Sequence, residues 1–546
     1  MKKTFIASVL VATPMLLSAQ SAFDAYSLSQ TELRGTARFM SMGGAFTALG
    51  GDLSTLTQNP AGIGVYRRSE IGVTLDISPR SLSAATSTDI MKSSSTPVSC
   101  NNFGYVGSVN LSGLMNTFSW GATYNRVASF NRRFGAFNGA IPTSLSNYVA
   151  YYTPSSVDPG YMDFVGAYNP YLDSNIDWMS IMGYNAGMIS YSDKNDGGGY
   201  SGIWQPGSVG ESYVDVYERG YVDEYSIDFG GNIANTVMWG IGFGITDLQY
   251  SRSYFYEEYA DKARVPKADS KGNLTNETAP GEGYFNIDNY RAVNGNGFNL
   301  KVGLIFKPIN EIRIGVAFHT PTWYTFRNSN NAYYEYEYEY QDATSPLSDY
   351  NPVDGYGNTA ESYYNFRVNS PWKFMVGAAA VLGSSAIISA DYELQSFNSM
   401  SVSNQYGYAG YVADNIVNDD INRYFKAANI FRIGAEYRVT PSFSVRAGYN
   451  YSSTACKEEV LNGAEVANDA RILESTDPSY TMNRGTNAFS LGLGYRYKIF
   501  YIDAAYVHGN RKSTFKPYSN FGNTVAPEVA LTENTNSVVF SLGFKF

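Results

Sequence analysis

The last ten residues of the chain, 537–546, read SVVFSLGFKF. In an extended strand, alternate side chains project to opposite faces. One face of this stretch carries only large apolar side chains: Val538, Phe540, Leu542, Phe544 and Phe546. The other face carries Val539, Ser541, Gly543 and Lys545. Because roughly 9–11 tilted residues cross the hydrocarbon of a bilayer, the stretch predicts a strand that faces lipid on one side and a polar lumen on the other.

The same two-faced pattern recurs along the chain. It is found in residues 239–246 (WGIGFGIT), 312–319 (IRIGVAFH), 431–438 (FRIGAEYR) and 489–496 (FSLGLGYR). In each stretch the second face holds small or polar residues. The strands of a two-sheet sandwich also alternate apolar with polar side chains, so this parity by itself leaves a large soluble β-protein open.

The connection lengths favour a barrel over a sandwich. We predict strands near residues 69–78, 101–112, 117–130, 219–231, 236–258, 287–307, 311–328, 362–382, 385–398, 424–439, 442–453, 487–497, 500–509 and 537–546. Connections after even-numbered strands are a few residues (SGLMN, IANT, KPIN, LGS, VTPS, YKIF), and those after odd-numbered strands are long. Outer-membrane barrels have short periplasmic turns and long external loops. The prediction is therefore an all-β fold, a transmembrane antiparallel β-barrel of about 14 strands.

The composition supports this class and excludes others. Charged residues are 16 % of the 546 residues, against roughly 25 % in soluble domains, and there are 47 Tyr and 52 Gly. A mean hydropathy of -0.25 is too low for a bundle of membrane helices. The net charge of -10 argues against nucleic acid as a partner. With two His and two widely separated Cys, we expect no metal, no cofactor and no disulfide framework.

The first residues have the layout of a secretory signal. Lys2 and Lys3 precede an apolar run over 5–17, and small polar residues follow. Cleavage after Ala19 or after Ser21 suits the small-residue rule, and both remain open. A later apolar stretch, 373–391, is interrupted by Gly and Ser, which predicts a strand, a turn and a strand.

The segment between the signal and the first strand does not alternate apolar with polar residues. It is rich in Gly and Ala among scattered Leu, Met and Phe. Asp52 suits the start of a short helical turn, and Asn59 suits the cap of a second turn that begins at Pro60. A barrel of this width leaves a bore that its own side chains do not fill. We therefore predict a signal peptide over 1–21, a lumenal plug over 22–66 and a barrel over 67–546. A disordered periplasmic tail is the alternative for the plug.

The plug region also resembles a known family. The stretch GTARFMSMGGAFTALGGDLSTLTQNPAGI, residues 35–63, is similar to the N-terminal signature of FadL-type outer-membrane channels for long-chain fatty acids and other hydrophobic compounds. The resemblance places a plug motif at Asn59, Pro60 and Ala61. Looser similarity is found in IRIGVAFHTP, SPWKFMVGAAAV and FRIGAEYRVTPSFSVRAGYNYSS.

The resemblance implies a mechanism. A ligand captured by external loops enters an apolar pocket, shifts the plug and leaves sideways through a gap near a kinked third strand. Here the third strand is FSWGATYNRVASF, residues 118–130, and Gly121 and Asn125 are its candidate kink positions. A fatty carboxylate needs a lumenal cation, and the cations of lumen parity are Lys301, Arg313, Arg432 and Arg446. Each has an alternative role in a polar, ion-paired wall, and His319 is expected to be a hydrogen-bonded wall residue.

The expected partners are a hydrophobic small molecule, outer-membrane lipid and lipopolysaccharide, and the barrel-assembly machinery through the C-terminal strand that ends at Phe546. The alternative function is a general porin or a surface-binding, adhesin-like barrel that uses its Tyr-rich loops. The largest loop, 131–218, carries one predicted helix near 176–188. Another loop contains YYEYEYEYQD, residues 333–342, which predicts a packed Tyr face and a solvated Glu face. No Gly-x-Ser-x-Gly motif is present, and we predict that the protein is not an enzyme.

Overall fold

The computed structural model describes residues 21–192, 198–341, 350–383, 385–404, 412–466 and 473–546. Its strands are β1 (Glu70–Ile77), β2 (Arg80–Ala85), β3 (Ile90–Ser95), β4 (Val98–Asn110), β5 (Met115–Ser129), β6 (Arg132–Asn138), β7 (Ile189–Ser192), β8 (Gly199–Gly202), β9 (Val209–Ile233), β10 (Val237–Ala268), β11 (Leu274–Ile309), β12 (Ile312–His319), β13 (Trp323–Gln341), β14 (Tyr350–Asn358), β15 (Ser362–Asn369), β16 (Lys373–Leu382), β17 (Ala386–Ser396), β18 (Ser401–Asn404), β19 (Ala427–Arg438), β20 (Phe443–Ser452), β21 (Tyr480–Tyr497), β22 (Phe500–Lys516) and β23 (Val529–Lys545).

The described helices are short. They are α1 (Ala22–Leu28), α2 (Ala37–Ser41), α3 (Thr55–Gln58), α4 (Leu145–Tyr152), α5 (Pro170–Asp173), α6 (Trp178–Asn185), α7 (Val412–Tyr424) and α8 (Glu458–Leu461), with 3-10 turns at Pro60–Val65, Pro159–Tyr161 and Phe397–Ser399. None of the helices in the described ranges has both the length and the hydropathy needed to cross a bilayer.

Fourteen antiparallel strands close into a ring. The order is β1, β4, β5, β9, β10, β11, β12, β16, β17, β19, β20, β21, β22 and β23. The ring closes where β23 pairs with β1, from Glu70 opposite Lys545 to Ile77 opposite Val538. Closure leaves no free strand edge in the bilayer, where an unpaired backbone group is costly. The predicted barrel and its strand number are confirmed.

The outer surface of the ring is an apolar belt. Along β23, Phe540, Leu542 and Phe544 are exposed, whereas Ser541 and Gly543 are buried. Similar exposed rows occur on β1, β10, β12 and β21. The belt is the lipid-facing surface of a transmembrane barrel.

The two ends of the barrel differ. At one end, here called the short-turn end, neighbouring strands join through tight turns such as 234–236 and 498–499. At the other, the long-loop end, β9, β10 and β11 continue well beyond the belt and reach 25, 32 and 36 residues. By the arrangement general to outer-membrane barrels, the short-turn end is periplasmic and the long-loop end external.

Much of the sequence that we expected to be loop is ordered above the barrel. The predicted loop over 131–218 contains β6, helices α4 to α6 and the first ten residues of β9. The predicted helix near 176–188 is α6. Within the Tyr ladder, Tyr334 and Tyr338 are buried and Glu335 and Glu337 are exposed, as their alternation predicts. Strands β6 and β9, helices α4 and α6 and the Tyr ladder share one apolar core beneath the external surface. Helix α5 packs in a separate cluster with Trp178 and Ile181 of α6.

The N-terminal segment, residues 21–66, lies inside the ring. Asp52 accepts a hydrogen bond from the Ser54 amide (2.9 Å) but precedes the helix, which begins at Thr55. Asn59 caps the 3-10 turn as its sequence predicts, because its Oδ1 accepts a hydrogen bond from Ala61 N (3.0 Å).

The inner wall accommodates this segment because the wall has glycine residues where the two are in contact. Inward-facing glycines lie directly against the backbone of the N-terminal segment, so that a side chain would overlap it. A Cβ at Gly303 would overlap Asn59, one at Gly315 would overlap Thr47, and one at Gly434 would overlap Met42. The glycines of the second strand face therefore provide the space for close backbone approach.

Adding a single methyl group at this wall tests the packing. We expect Gly303→Ala to displace the N-terminal segment, because the new Cβ overlaps the Asn59 side chain. Trypsin cleavage after Arg34 or Arg38 in the folded, heat-modifiable protein should then be at least several-fold faster. Gly509→Ala is the matched control, since its Cβ would meet nothing nearer than 3.9 Å. Equal cleavage rates in the two variants would contradict the packing described.

Candidate functional site

The start of the N-terminal segment reaches the long-loop end of the lumen. Helix α1 begins with a capping box in which Ser21 Oγ accepts from the Asp24 amide (3.0 Å) and Asp24 accepts from the Ser21 amide (3.2 Å). Asp24 also pairs with Arg291 of β11 at 2.6 Å. Phe23 and Tyr26 pack into a cluster of rings that contains Phe397, Tyr424, Phe425 and Tyr480. Helix α1 is thus fixed at the mouth by an ion pair and by ring stacking.

Beneath α1 lies a cavity of about 290 Å³ between the N-terminal segment and the wall. Its apolar lining includes Leu28, Leu33, Phe39, Met40, Val127, Val222, Met375, Phe397 and Ile430. Its charged lining has seven cations (Arg34, Arg80, Arg126, Lys301, Lys373, Arg432, Arg511) and five acids (Glu32, Asp76, Glu224, Glu393, Glu533). An apolar surface with an excess of two cations suits an amphipathic ligand that carries an anionic group.

Most of the lining cations are already neutralised. Lys301 pairs with Glu224, and Arg432 pairs with Glu393 at 2.5 Å. Arg34 lies 2.7 Å from Glu32. The lining residues Arg80, Arg126 and Arg511 also have carboxylate partners, at 3.5, 2.8 and 3.4 Å. A ligand would have to compete with these acids for the paired cations.

Lys373 differs from the other cations. No ion pair or hydrogen bond joins its ammonium to any residue that the structure describes. Strand register places it in one row with Lys301, His319 and Gln395, across the adjacent strands β11, β12, β16 and β17. Lys373 is therefore the cation best placed to meet a ligand carboxylate.

The structure divides the four predicted lumenal cations into two pairs. Lys301 and Arg432 line the cavity. Arg313 and Arg446 do not; Arg313 donates to the carbonyl oxygen of Leu49 (2.7 Å), and Arg446 bridges Glu436 and Asp503 at 2.7 and 2.5 Å. These two hold the N-terminal segment and the wall below the cavity. Glu436 also accepts from Arg38 of the N-terminal segment at 2.9 Å.

The Asn-Pro-Ala motif lies at the base of the cavity, against the wall. Asn59 Nδ2 donates to the Thr47 carbonyl oxygen at 2.6 Å, which ties two turns of the N-terminal segment together. His319 Nε2 lies 2.9 Å from the Gln58 carbonyl oxygen, in the hydrogen-bonded role that the sequence suggests for it. Asp391 of β17 accepts from the Thr47 amide at 2.8 Å. The motif acts here as a backbone brace beneath the cavity.

The third strand of the ring, β5, has a register shift near each end of its pairing with β9, and the shift toward the long-loop end adjoins the cavity. Its pairing with β4 ends at Asn125 opposite Asn102, and its pairing with β9 shifts register between Arg126 and Ala128. Residues 98–100 of β4 pair with β1, and Asn101 lies in a register shift of that pairing. No ladder joins residues 98–101 to residues 126–129 of β5. We call this stretch the β4–β5 gap. Asn125, Arg126 and Val127 also line the cavity, which therefore extends to the gap.

Of the two predicted kink positions, Asn125 adjoins the gap. Gly121 lies in the regular ladder, between Val106 of β4 and Asp228 of β9. A Cβ there would approach Leu56 of the N-terminal segment at 3.0 Å, so Gly121 serves close packing below the gap.

The N-terminal segment bonds to both edges of the gap. The Glu32 amide donates to the Val127 carbonyl oxygen at 3.0 Å on the β5 side. Arg34 Nη1 donates to Asn101 Oδ1 at 3.0 Å on the β4 side. Burial alone would raise the pKa of the Glu32 carboxyl, but nearby guanidinium groups lower that pKa to about 2. The ionised carboxylate holds Arg34 at 2.7 Å and pairs with Arg80 of β2 and Arg511 of β22, which fixes residues 32–34 beside the gap.

Sequence reasoning missed Lys373 and the pair Glu32 and Arg34. Lys373 has lumen parity, since Phe374 and Val376 face lipid, so its position was readable from the strand. Its lack of an ion-pair partner among the described residues could not be predicted, because this depends on where the acidic residues of other strands lie. Nothing in the N-terminal sequence indicates that residues 32–34 meet the third strand.

No protein-family model matches the chain, and no curated protein matches it in sequence. Among solved structures, a Pseudomonas aeruginosa FadL homologue matches with a TM-score of 0.52 and 12 % identity, over 94 % of this chain and 99 % of that chain. The Pseudomonas putida toluene transporter TodX matches at 0.48 and 14 % identity, over 94 % and 99 %. The Ralstonia pickettii toluene transporter TbuX matches at 0.44 and 12 % identity, over 95 % and 100 %. The first of these likenesses shows that the fold is that of a FadL-like β-barrel.

Proposed function

We propose that the protein is an outer-membrane channel for the uptake of hydrophobic or amphipathic small molecules, such as long-chain fatty acids. The observation that carries the proposal is a partly apolar cavity that extends to an unladdered stretch of wall, with residues 32–34 bonded across it. The fold likeness to the FadL homologue supports the same function. In this account a signal peptide lies within residues 1–21, 22–66 are a plug and 67–546 the barrel. Of the two cleavage positions, the one after Ala19 retains Ser21 as the cap of α1.

Entry begins at the long-loop end. Tyr26, Leu28 and Ser29 line the cavity from above, so helix α1 forms its roof. A ligand that reaches the aromatic cluster around Phe23 replaces contacts between the rings with contacts to its own apolar chain. Helix α1 then moves away from the cavity. The cavity is at the small end of ligand pockets, which span roughly 300–1,000 Å³. A long acyl chain therefore requires the plug to move.

Exit is sideways through the β4–β5 gap. A ligand whose head group is held by Lys373 fills the cavity and displaces residues 32–34, which frees both edges of the gap. Each CH₂ group kept out of water retains about 0.8 kcal/mol of apolar stabilisation, so lateral release into the bilayer is favoured over release into the periplasm. None of these steps uses a catalytic residue.

A general porin fits the structure less well. The inner wall is in contact with the N-terminal segment from Ala37, which donates to Ser541 (2.7 Å), down to Gly51, whose carbonyl oxygen accepts from Lys545 (3.4 Å). Such contacts close the bore to free diffusion. At the chain end, Phe546 is exposed next to the lipid belt, which supports recognition of the last strand by the assembly machinery.

Replacing Lys373 should weaken binding of a ligand's anionic head group and leave binding of its acyl chain nearly unchanged. We expect Lys373→Gln to weaken palmitate binding about tenfold or more, because a charge-assisted hydrogen bond contributes about 1.5–3 kcal/mol. Binding of hexadecanol, the alcohol of equal chain length, should change less than about twofold. Titration in detergent, with Lys262→Gln on an external hairpin as the control, measures both. Equal loss for both ligands would remove Lys373 from the site.

Ligand binding should also loosen the bonds across the gap. Hydrogen exchange in peptides covering 30–36 and 126–130 should become at least several-fold faster when palmitate is added, because the bond from Glu32 to Val127 breaks. Exchange in β20, on a regular part of the wall, should not change. Slower or unaltered exchange at the gap would contradict lateral release.

A further inference from the structure

A row of large apolar side chains, most of them aromatic, marks the external edge of the lipid-facing belt. Ladder pairing across β5, β9, β10, β11 and β13 places in this row Tyr124, Tyr225, Ile245, Phe298 and Trp323. The rings of Phe298 and Trp323 are stacked, with their centroids 6.1 Å apart. Aromatic girdles flank the apolar band of outer-membrane barrels at the membrane interface. The row therefore gives the depth at which the head groups of the outer leaflet begin.

The outward side chains change from apolar to polar directly above this row. Strand β13 follows β12 in the chain, and β15 precedes β16, so both are external continuations of ring strands. The next two outward positions on four adjacent strands are Asp247 and Gln249 (β10), Asn296 and Asn294 (β11), Thr325 and Arg327 (β13), and Arg367 and Asn365 (β15). We call these eight residues the arginine band. It contains two cations and one acid.

Both arginines face away from the lumen. The residues that alternate with them along β13 and β15 are buried in the apolar core on the inner side of the wall: Tyr324, Phe326, Phe366 and Val368. Because successive side chains of a strand point to opposite faces, Arg327 and Arg367 lie on the outer face, where both are exposed. This is the face that carries Trp323 in the aromatic row.

The two arginines are close enough to bind one anion together. Arg327 lies opposite Asn365 in the ladder, and Arg367 lies opposite Thr325. They are therefore diagonal neighbours on one face, with Cβ atoms roughly 7–8 Å apart. Arginine side chains extend far enough to converge over this distance on a single phosphate group. The guanidinium of Arg327 lies 5.7 Å from the centre of the Tyr363 ring, which restricts its position beside the band.

Neither arginine is neutralised within the described part of the chain. Neither makes an ion pair or a hydrogen bond with a residue that the structure describes, whereas Arg126 at the same depth pairs with Asp223 at 2.8 Å. Of the acids on this face, Glu361 accepts a hydrogen bond from the Tyr363 hydroxyl at 2.5 Å. Asp247 lies two strands away from Arg327. The counter-ion of the arginine pair therefore comes from outside the chain.

The charge above the band indicates the direction from which an anion arrives. Farther from the membrane, the outward positions 255, 257 and 259 of β10, 284, 286 and 288 of β11, and 333, 335 and 337 of β13 hold no cation and four acids: Glu257, Asp288, Glu335 and Glu337. This acidic face repels a soluble anion that approaches from the medium. A lipid of the outer leaflet reaches the band from the side. Its acyl chains can then lie along the belt below, where Phe318 and Phe374 are exposed.

We infer that the arginine band binds a phosphate group of lipid A, the head group of lipopolysaccharide, in the outer leaflet. The two guanidinium groups take the phosphate, since arginine bonds phosphate through paired donors. The amide groups of Asn294 and Asn296 face the same depth and can donate to sugar oxygens. Below the head group, the aromatic row and the belt contact the acyl chains. The site depends on the long-loop end being external and not on the cavity or its ligand.

Native mass spectrometry of the full-length protein tests this site. Delipidated protein is titrated with diphosphorylated lipid A and, separately, with the same lipid A after both phosphates have been removed. We expect Arg327→Gln/Arg367→Gln to weaken binding of the phosphorylated form at least about tenfold, because each cation near the bilayer surface contributes about 1 kcal/mol. Binding of the dephosphorylated form should change less than about twofold. Arg327→Lys/Arg367→Lys should retain most of the affinity for the phosphorylated form.

The matched control removes two cations from an external hairpin far from the belt, as Lys262→Gln/Arg264→Gln. It should leave the affinity for phosphorylated lipid A within about twofold of the wild type. Heat-modifiable migration shows that the variants fold, and unaltered palmitate binding keeps this test separate from the proposed transport. Equal losses for both forms of lipid A, or equal losses in the two glutamine variants, would overturn the inference. Full competition by millimolar inorganic phosphate, or equally tight binding of phosphatidylglycerol, would overturn the assignment to lipopolysaccharide.

Discussion

The structure depends on one constraint: in a bilayer every backbone hydrogen bond must be made within the chain. Fourteen strands meet it by closing into a ring, and the ring then encloses a bore that wall side chains alone do not fill. The chain fills the bore with its own N-terminal segment. The inner wall allows close contact because Gly303, Gly315 and Gly434 present no side chain there.

The same constraint explains why the site lies where it does. Toward the short-turn end, the backbone of the N-terminal segment touches the backbone of the strands and leaves no room for a ligand. Higher up, the segment narrows to residues 29–34 and a cavity opens between it and the strands. There the ladder between β4 and β5 also stops, and the Glu32 amide takes up the Val127 carbonyl oxygen that the bulge leaves free. A single short stretch therefore bounds the cavity and joins the edges of the gap. In the proposed transport, filling of the cavity displaces this stretch and opens the wall.

Side-chain parity predicted the strands, and the alternation of short and long connections was needed to predict a barrel, because the strands of a two-sheet sandwich show the same parity. Parity also placed Lys301 and Arg432 on the lumenal face, and the Asn-Pro pair predicted the cap at Asn59. Parity could not separate Arg313, which holds the Leu49 carbonyl oxygen, from the cavity cations, because their heights along the bore depend on register across many strands. The β4–β5 gap could not be predicted from the sequence for a similar reason. The Val127 carbonyl oxygen at the bulge accepts its hydrogen bond from the Glu32 amide, about 95 residues away in sequence.

The central claim is that the bore is closed at rest by the chain's own leading segment. Conductance of the purified protein in planar bilayers tests this most directly, with a chain that lacks residues 22–62 measured alongside. The intact protein should show almost no steady ion current, and the shortened barrel should conduct steadily. A large, steady current through the intact protein would contradict it.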